Sequence, residues 1–215
     1  MDKNLKTYIT KYDRWLKEKL ISHSSKVIPV NESLDGIKHM IPSVQAIDIL
    51  EKAHLITLAE CICRQRYKRC DKPLEVCFIL DETGEKWIEK GLSKKIDLAF
   101  AKTILKQANE HGLVHLTLFK PDHKVFALCS CCSCCCHDLQ LVLAYGKDYL
   151  LLKSDYIAHD EPALCQDCGQ CIQRCQFFAR QLKDNQVSYD PEKCVGCGLC
   201  ITSCPENAIT LGLRT

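Results

Sequence analysis

Apolar residues at the start of the chain recur at helical spacing. Within residues 2–20 they fall three and four apart with lysines between them, which predicts an amphipathic helix packed on a core rather than on a membrane. After a loop with Pro29, Gly36 and Pro42, a second helix is predicted to run toward Cys61. The two apolar sets are Leu5, Tyr8, Ile9, Tyr12, Trp15, Leu16 and Leu20, and then Val44, Ile47, Leu50, Leu55 and Leu58.

Shorter apolar runs follow, with turn residues between them. Residues 76–81 predict a buried strand that ends at an Asp-Glu-Thr-Gly turn. A one-faced apolar pattern over residues 94–111 predicts a helix with Gly112 at its C-terminal end. Two runs within residues 114–129 flank a Pro-Asp turn and predict a hairpin. Residues 139–152 are apolar, and their periodicity leaves helix and strand both open.

From about Ser154 the chain repeats itself at a constant offset of 29 residues. Each copy contains the run C-x-x-C-x-x-C-x-x-x-C, and every cysteine of one copy falls on a cysteine of the other. Such a register indicates an internal duplication. The repeated cysteines are Cys165, Cys168, Cys171 and Cys175 in the first copy and Cys194, Cys197, Cys200 and Cys204 in the second.

This double run resembles the bacterial two-cluster [4Fe-4S] ferredoxin family over about residues 154–213, roughly a quarter of the chain. The resemblance implies a pseudo-twofold α+β fold of two hairpins and two helices, and an electron-carrier role. The family's proline after the fourth cysteine is kept at Pro205, whereas Gln176 replaces it in the first copy. The implied ligands are Cys165, Cys168, Cys171 and Cys204 for one cluster, and Cys194, Cys197, Cys200 and Cys175 for the second.

Zinc is the competing interpretation of the repeat, because C-x-x-C pairs also bind zinc. Structural zinc sites rarely use this run twice at a constant offset, so iron-sulfur clusters are favoured. Gly169, Gly196 and Gly198 next to the cysteines would let backbone amides approach the cluster sulfurs.

Ten further cysteines precede the repeat, and a domain of about 150 residues does not need so many for packing. Crowded free thiols invite oxidation, so metal binding is favoured. Soft thiolates can hold one further [4Fe-4S] cluster, two clusters, a larger irregular cluster, or a structural zinc or copper(I) ion. Cys77 lies in an apolar run, which favours a core role for it more than for the other nine. The ten are Cys61, Cys63, Cys70 and Cys77, and then Cys129, Cys131, Cys132, Cys134, Cys135 and Cys136.

The C-x-C-R motif at residues 61–64, followed by the dense run at 129–136, is similar to ferredoxin-fused iron-sulfur proteins of anaerobes. The neighbouring basic residues are interpreted as a solvated helix face in preference to a cluster-screening or anion-binding group. His115 and His137 can act as ligands or proton donors, although an ordinary core or surface role is favoured for each. The basic residues are Arg64, Arg66, Lys68 and Arg69.

Composition narrows the classes further. Eighteen cysteines in 215 residues approach the content of a secreted disulfide scaffold. The N-terminus shows no secretory signal, and no stretch reaches the ~18 apolar residues of a membrane span. A soluble cytoplasmic protein with reduced, metal-binding thiols is therefore expected. The formal charge of +2 does not indicate binding to nucleic acid or to a membrane surface.

These patterns predict an α+β protein with two domains. Residues 1–153 are expected to form a cysteine-rich metal-binding domain of mixed helix and strand, and residues 154–215 the two-cluster module. The favoured function is electron transfer between a redox partner protein and a metal centre in the N-terminal domain. Two alternatives stay open: a catalytic reductase subunit with a substrate-binding cluster, and an iron-sulfur redox sensor. The module alone should carry about eight irons, and a homo-oligomer could share thiolate sites.

Overall fold

A seven-stranded sheet forms the centre of the N-terminal part in the computed structural model, which describes residues 1–34 and 46–214. Its strands are β1 (Ser25–Ile28), β2 (Ile56–Glu60), β3 (Glu75–Leu80), β4 (Ser93–Lys95), β5 (Val114–Phe119), β6 (Val125–Cys131) and β7 (Leu151–Leu152). Their order across the sheet is β4-β2-β3-β6-β5-β1-β7. Only the β1–β7 pair is parallel among these neighbours.

The helices of this part connect and cover the strands. The first begins after Asp2, whose carboxylate accepts hydrogen bonds from the N–H groups of Asn4 and Leu5. Its buried residues, Leu5 and Tyr12, pack in a small core with Leu141. The predicted first helix is therefore present, with its apolar stripe inside. The helices are α1 (Lys3–Lys17), α2 (Ala46–Lys52), α3 (Ile62–Tyr67), α4 (Asp81–Glu89), α5 (Leu98–Glu110) and α6 (His137–Tyr145).

The second helix is shorter than predicted. α2 ends at Lys52, and residues 56–60 form β2 instead of continuing the helix toward Cys61. The slip in the apolar period after Leu50 marks this change of structure. β2 is buried except for its last residue, and a strand buried on both faces shows no alternation that sequence reading could detect. Val44, the first residue of the predicted helix, lies outside the described residues, as do Gly36 and Pro42 of the loop before it.

The Asp-Glu-Thr-Gly segment is not a turn between elements, as predicted, but the start of α4. Asp81 has a positive φ of 53°, which ends β3 and starts the helix directly. Its carboxylate accepts hydrogen bonds from the N–H groups of His54 and Leu55, at 2.9 and 3.2 Å. This long-range bond makes the abrupt change of direction possible, and no local pattern announces it.

The later elements follow their sequence patterns more closely. α5 starts at Leu98, after β4, and Gly112 follows it with φ +66°. β5 and β6 form the predicted antiparallel hairpin, which extends to Cys131. Residues 139–152, for which helix and strand were both open, contain one of each: α6 leads through a short turn into β7.

The C-terminal part contains two small antiparallel sheets. β8 (Tyr156–Asp160) pairs with β11 (Ile209–Leu213), and β9 (Arg180–Lys183) pairs with β10 (Gln186–Tyr189). A short helix, α7 (Gln170–Arg174), lies between β8 and β9. Left-handed backbone conformations recur here at the offset of 29 residues: Asp167 with Gly196, Gly169 with Gly198, and Phe178 with Asn207.

The two parts share one hydrophobic core. Phe177, Val195 and Leu199 from the C-terminal part belong to the same buried cluster as the residues of the large sheet. The N–H of Val30 donates to the carbonyl of Cys197 at 3.0 Å. The second half of the cysteine repeat is thus docked against the N-terminal sheet. None of the helices within the described residues is long and apolar enough to cross a membrane.

Candidate metal centres

One set of four cysteines lines an open cavity in the C-terminal part. Cys165 and Cys168 lie in the loop before α7, Cys171 lies on α7, and Cys204 lies in the segment before β11. The cavity has a volume of about 230 Å³, several times the ~30 Å³ share of one water molecule. Cys165 and Cys168 are exposed, so this set faces the solvent.

The other four cysteines of the repeat line a second, narrower cavity. Cys175, which follows α7, lies here with Cys194, Cys197 and Cys200. Burial raises the pKa of Cys200 to about 12, and the nearby Cys194 and Cys175 thiols contribute to that increase. The structure therefore brings the fourth cysteine of each run to the three of the other run, and this second set is turned toward the N-terminal sheet.

Arg180 lies between the two cavities and lines both. Its side chain is 2% exposed. The guanidinium binds both carboxylate oxygens of Asp160, at 2.9 and 2.5 Å, and lies 4.6 Å from the centre of the Tyr189 ring. Burial lowers the pKa of Arg180, but the bond to Asp160 and the thiols of Cys200 and Cys171 raise it overall. A fixed positive charge thus lies beside both cysteine sets.

The ten N-terminal cysteines separate in space into a group of four and a group of six, which differ from the two groups along the sequence. The four-cysteine site consists of Cys70, Cys132, Cys134 and Cys135. The six-cysteine cavity is lined by Cys61, Cys63, Cys77, Cys129, Cys131 and Cys136.

The four-cysteine site joins two irregular segments. Cys70 follows α3, while the other three cysteines lie in the loop between β6 and α6. All four Sγ atoms lie within 4.8 Å of one another, with 3.7 Å between Cys70 and Cys132 and 3.8 Å between Cys134 and Cys135. Within residues 1–34 and 46–214, it is the only such group of three or more Cys, His, Asp or Glu ligand atoms.

The six-cysteine cavity lies on one face of the sheet. Cys77 on β3 is directly opposite Cys129 on β6, and Cys131 points to the same face two residues later. Cys61 follows β2, Cys63 lies in the first turn of α3, and Cys136 precedes α6. The ends of four elements therefore converge on one cavity of about 200 Å³.

Residues 187–210 match the family described as 4Fe-4S binding domain. The matched stretch contains all four cysteines of the second run, and it implies at least one [4Fe-4S] cluster. Together with the cysteine-rich region, it identifies an iron-sulfur protein. None of the curated proteins compared with the chain matches it significantly.

The residues around the second run suit such a cluster. The cavity wall offers four thiols, and Gly196 and Gly198 both adopt the left-handed region that a side chain rarely tolerates. A Cβ on Gly196 would lie 2.8 Å from the carbonyl carbon of Tyr156, so only glycine lets the ligand loop pack this closely on β8.

Replacing Arg180 with Met is expected to lower the reduction potential of the iron-sulfur chromophore. A positive charge stabilises the reduced, more negative cluster, and its loss should shift the potential by about 50–100 mV at an effective dielectric constant of ~20. Potentiometric titration followed by visible absorption measures the shift. Arg180→Lys should restore part of it, and a potential unchanged in both variants would contradict the electrostatic role.

The thiols of the six-cysteine cavity contact one another. The Cys136 thiol raises the pKa of Cys63, and the Cys129 thiol raises the pKa of Cys77. Cys61 has a lowered pKa of about 2 because it accepts hydrogen bonds from Cys63 and Cys77. The thiols of this group thus lie within hydrogen-bonding reach of one another, and metal binding would release their protons. The all-sulfur lining suits an iron-sulfur core.

His137 closes one side of the same cavity. Its Nδ1 lies 3.2 Å from Cys63 Sγ, its Nε2 lies 3.4 Å from Arg66, and its ring stacks on Tyr8 at 4.0 Å. Arginine can only donate, so Nε2 accepts and Nδ1 carries the proton toward the sulfur. Burial and the charge of Arg66 lower the pKa of His137 to about 4. The imidazole is thus a neutral hydrogen-bond donor to a cavity thiol, a role that places it among the candidate functional residues.

Sequence reasoning misplaced one basic residue and missed several cavity contacts. Cys77 is buried in the core, as its apolar run indicated, and it also lines the six-cysteine cavity, a role that its pairing opposite Cys129 could have revealed. Arg64 is not part of a solvated face: it is 2% exposed. Tyr8 and Lys11 of α1 also line the cavity, a contact that no sequence pattern indicates. His115 fills the core role that was favoured for it, bonded to Ser130 at 3.0 Å.

Proposed function

We propose that this iron-sulfur protein transfers electrons between an external redox protein and a metal centre in its N-terminal domain, through a two-cluster module at residues 154–213. The observation that carries the proposal is the unequal exposure of the two cysteine sets. Cys165 and Cys168 are exposed, whereas the set with Cys197 lies against the N-terminal sheet. One set is thus accessible to a partner, and the other is directed inward.

The backbone and the cavities support two clusters of the ferredoxin type. Three pairs of left-handed residues and the strand pairs recur at the 29-residue offset that relates the cysteines. Each cavity is lined by three cysteines of one run and the fourth of the other. This exchange of the fourth ligand is the arrangement of two-cluster ferredoxins.

Gln176 links the module to the N-terminal cysteines. It directly follows Cys175, and its side-chain oxygen accepts a hydrogen bond from the N–H of Ser133 at 2.6 Å. Its amide nitrogen donates to the carbonyl of Gly112. Ser133 stands between Cys132 and Cys134, so a single side chain connects the two cysteine-rich loops. The proline usual at this position could not make either bond.

The six-cysteine cavity is the proposed far end of the route. Its volume of about 200 Å³ exceeds what one ion needs and suits a polynuclear cluster. His137 would donate a hydrogen bond to a cluster ligand there, and such bonds tune the potential. The N-terminal centre of the proposal is therefore an iron-sulfur cluster within residues 1–153.

Replacing Gln176 with Leu is expected to slow electron transfer between the module and the N-terminal centre. The change removes both hydrogen bonds but leaves all thiols in place. Flash reduction of the anaerobic holoprotein by a photoreduced flavin, followed by visible absorption, resolves the redistribution of electrons. The iron content should stay at the wild-type value while the intramolecular rate falls severalfold.

Gln170→Leu is the matched control, because Gln170 is an exposed residue on α7. It should leave both the iron content and the rate unchanged. An unchanged rate in Gln176→Leu would contradict the proposed route, and a loss of iron in that variant would assign Gln176 a structural role instead.

A reductase is the second candidate function, favoured by the non-cysteine groups of the six-cysteine cavity. Tyr8, Lys11 and His137 line it together with the thiols, which would allow a small substrate to bind beside the metal centre. Cyanide titration of the reduced holoprotein separates the two functions. A changed electron paramagnetic resonance signal of the N-terminal centre supports an open iron and a reductase, and an unchanged signal supports electron transfer alone.

A further inference from the structure

The four-cysteine site has the dimensions of a ligand shell around a single ion. A tetrahedral ion with metal–sulfur bonds of ~2.3 Å holds its four sulfurs about 3.8 Å apart. The observed separations are 3.7 Å for Cys70–Cys132 and 3.8 Å for Cys134–Cys135, and all four Sγ atoms lie within 4.8 Å of one another. We propose that these four cysteines bind one tetrahedral metal ion, zinc or iron(II), at a site separate from the iron-sulfur clusters.

A cubane cluster does not suit this spacing. Each ligand of a cubane binds a different iron, so the four sulfurs stand apart by more than the width of one ion. The cysteines of the repeat illustrate the difference, because none of their sets meets the 4.8 Å limit within the described residues. The chain thus contains both wide and narrow cysteine sets, and only the narrow one matches a shared ion.

Two positively charged side chains next to the site would balance the negative charge of a metal ion bound by four thiolates. A divalent ion with four thiolates carries a net charge of about −2. The buried guanidinium of Arg64 lies 3.5 Å from Cys132 Sγ, and it makes no ion pair with a carboxylate in the part of the chain that the structure describes. Arg69 donates to the carbonyl of Cys134 at 3.1 Å. These two cations would balance the site, and a buried cation requires such an anionic partner.

Further hydrogen bonds hold the loop between β6 and α6 in place. The side chain of Gln140 is buried and donates to the carbonyl of Cys135 at 2.8 Å, while its oxygen accepts from Arg69 at 2.7 Å. Supporting bonds of this kind are typical of metal ligands. The ion would join the segment after α3 to the loop between β6 and α6, to which Gln176 is also bonded.

Metal analysis and X-ray absorption of the anaerobically purified holoprotein test the site without any substitution. We expect one zinc per chain with four sulfur neighbours at about 2.3 Å and no metal neighbour. If the ion is iron, zinc is absent and the Mössbauer spectrum contains one high-spin tetrahedral iron in addition to the clusters. Either result supports a mononuclear site and identifies its ion. The absence of both would overturn it.

The variant Cys70→Ala tests whether the ion is bound at the four-cysteine site. The variant should lose that one equivalent of metal while the visible cluster absorption keeps its wild-type intensity. Ser133→Ala, in the same loop between β6 and α6, is the control and should keep the equivalent, because it removes no thiol. Loss of about four irons together from Cys70→Ala would mean that the four thiols hold a cubane, and the inference would be wrong. Cys70→Ala leaves every cysteine of the module and of the six-cysteine cavity in place, so the iron content of these centres tests the proposed function separately.

Discussion

The double variant Cys63→Ala/Cys129→Ala is expected to lose about four irons per chain, together with the corresponding part of the visible absorption. The two cysteines come from α3 and β6, so their removal opens the six-cysteine cavity from two sides. Cys61, Cys77, Cys131 and Cys136 remain in the wall, so the loss is expected because the cluster uses Cys63 and Cys129 among its ligands. Iron and sulfide analysis of the anaerobic protein gives the count.

Ser130→Ala is the matched control for this loss. Ser130 lies between Cys129 and Cys131 on β6, points to the opposite face and binds His115. The control also removes a buried polar group from the strand, yet it touches no thiol of the cavity. It should keep its iron. An equal iron content in the double variant and the wild type would show that neither Cys63 nor Cys129 is a cluster ligand, and the expected loss would be wrong.

The double variant should also leave the module intact. Its eight cysteines lie in two other cavities, and the matched 4Fe-4S region begins only at residue 187. The remaining iron should therefore stay near the eight expected of two clusters. A parallel loss of the module's iron would mean that the clusters assemble as a unit, and the proposed division of the chain would fail.

The sequence predicts the repeat well because its chemistry is local. The cysteine run and its 29-residue offset can be read from spacing alone, and the structure places left-handed residues at the same offset. The hairpin of β5 and β6 is found for the same reason. Period-two patterns and a turn of Pro and Asp are short-range signals.

The grouping of the N-terminal cysteines cannot be read in this way. Cys132 and Cys131 are neighbours in the chain, yet they belong to different sites, because successive residues at a strand end point in different directions. Cys77 joins Cys129 only through the register of β3 against β6, which is set by the whole sheet. The burial of Arg64 likewise depends on thiols that are distant in sequence.

Gly198→Ala is expected to destabilise the holoprotein much more than Gly169→Ala does. The two glycines are equivalent in the repeat and have nearly equal φ angles, +78° and +74°. Each substitution would lower the free energy of unfolding by about 1–2 kcal/mol, because alanine is strained in the left-handed conformation. At Gly169 the nearest atom to a new Cβ is Ile172 Cδ1, at 3.9 Å, so no further cost is expected there.

Position 198 carries an additional cost because it faces the N-terminal part. A Cβ there would clash with the Ser33 hydroxyl and lie 2.6 Å from Ser33 Cβ. Ser33 is buried and its hydroxyl donates to the carbonyl of Val30 at 2.6 Å, so it cannot withdraw. Overpacking of this kind costs about 1–3 kcal/mol more. Thermal loss of the cluster absorption should therefore begin at a distinctly lower temperature in Gly198→Ala.

A second substitution distinguishes the cost of the steric contact with Ser33 from the cost of backbone strain at position 198. Ser33→Gly removes the two nearest atoms that the new methyl group would meet and leaves Val30 Cγ2, at 3.3 Å, as the next nearest, so Gly198→Ala in that background should cost only a little more than Gly169→Ala. Recovery of this size would mean that Gly198 packs directly against Ser33, so that the second cysteine set is seated on the N-terminal part, as an inward electron route requires. If the double variant stays as unstable as the two single effects added, the close approach of Gly198 to Ser33 does not hold the two parts together.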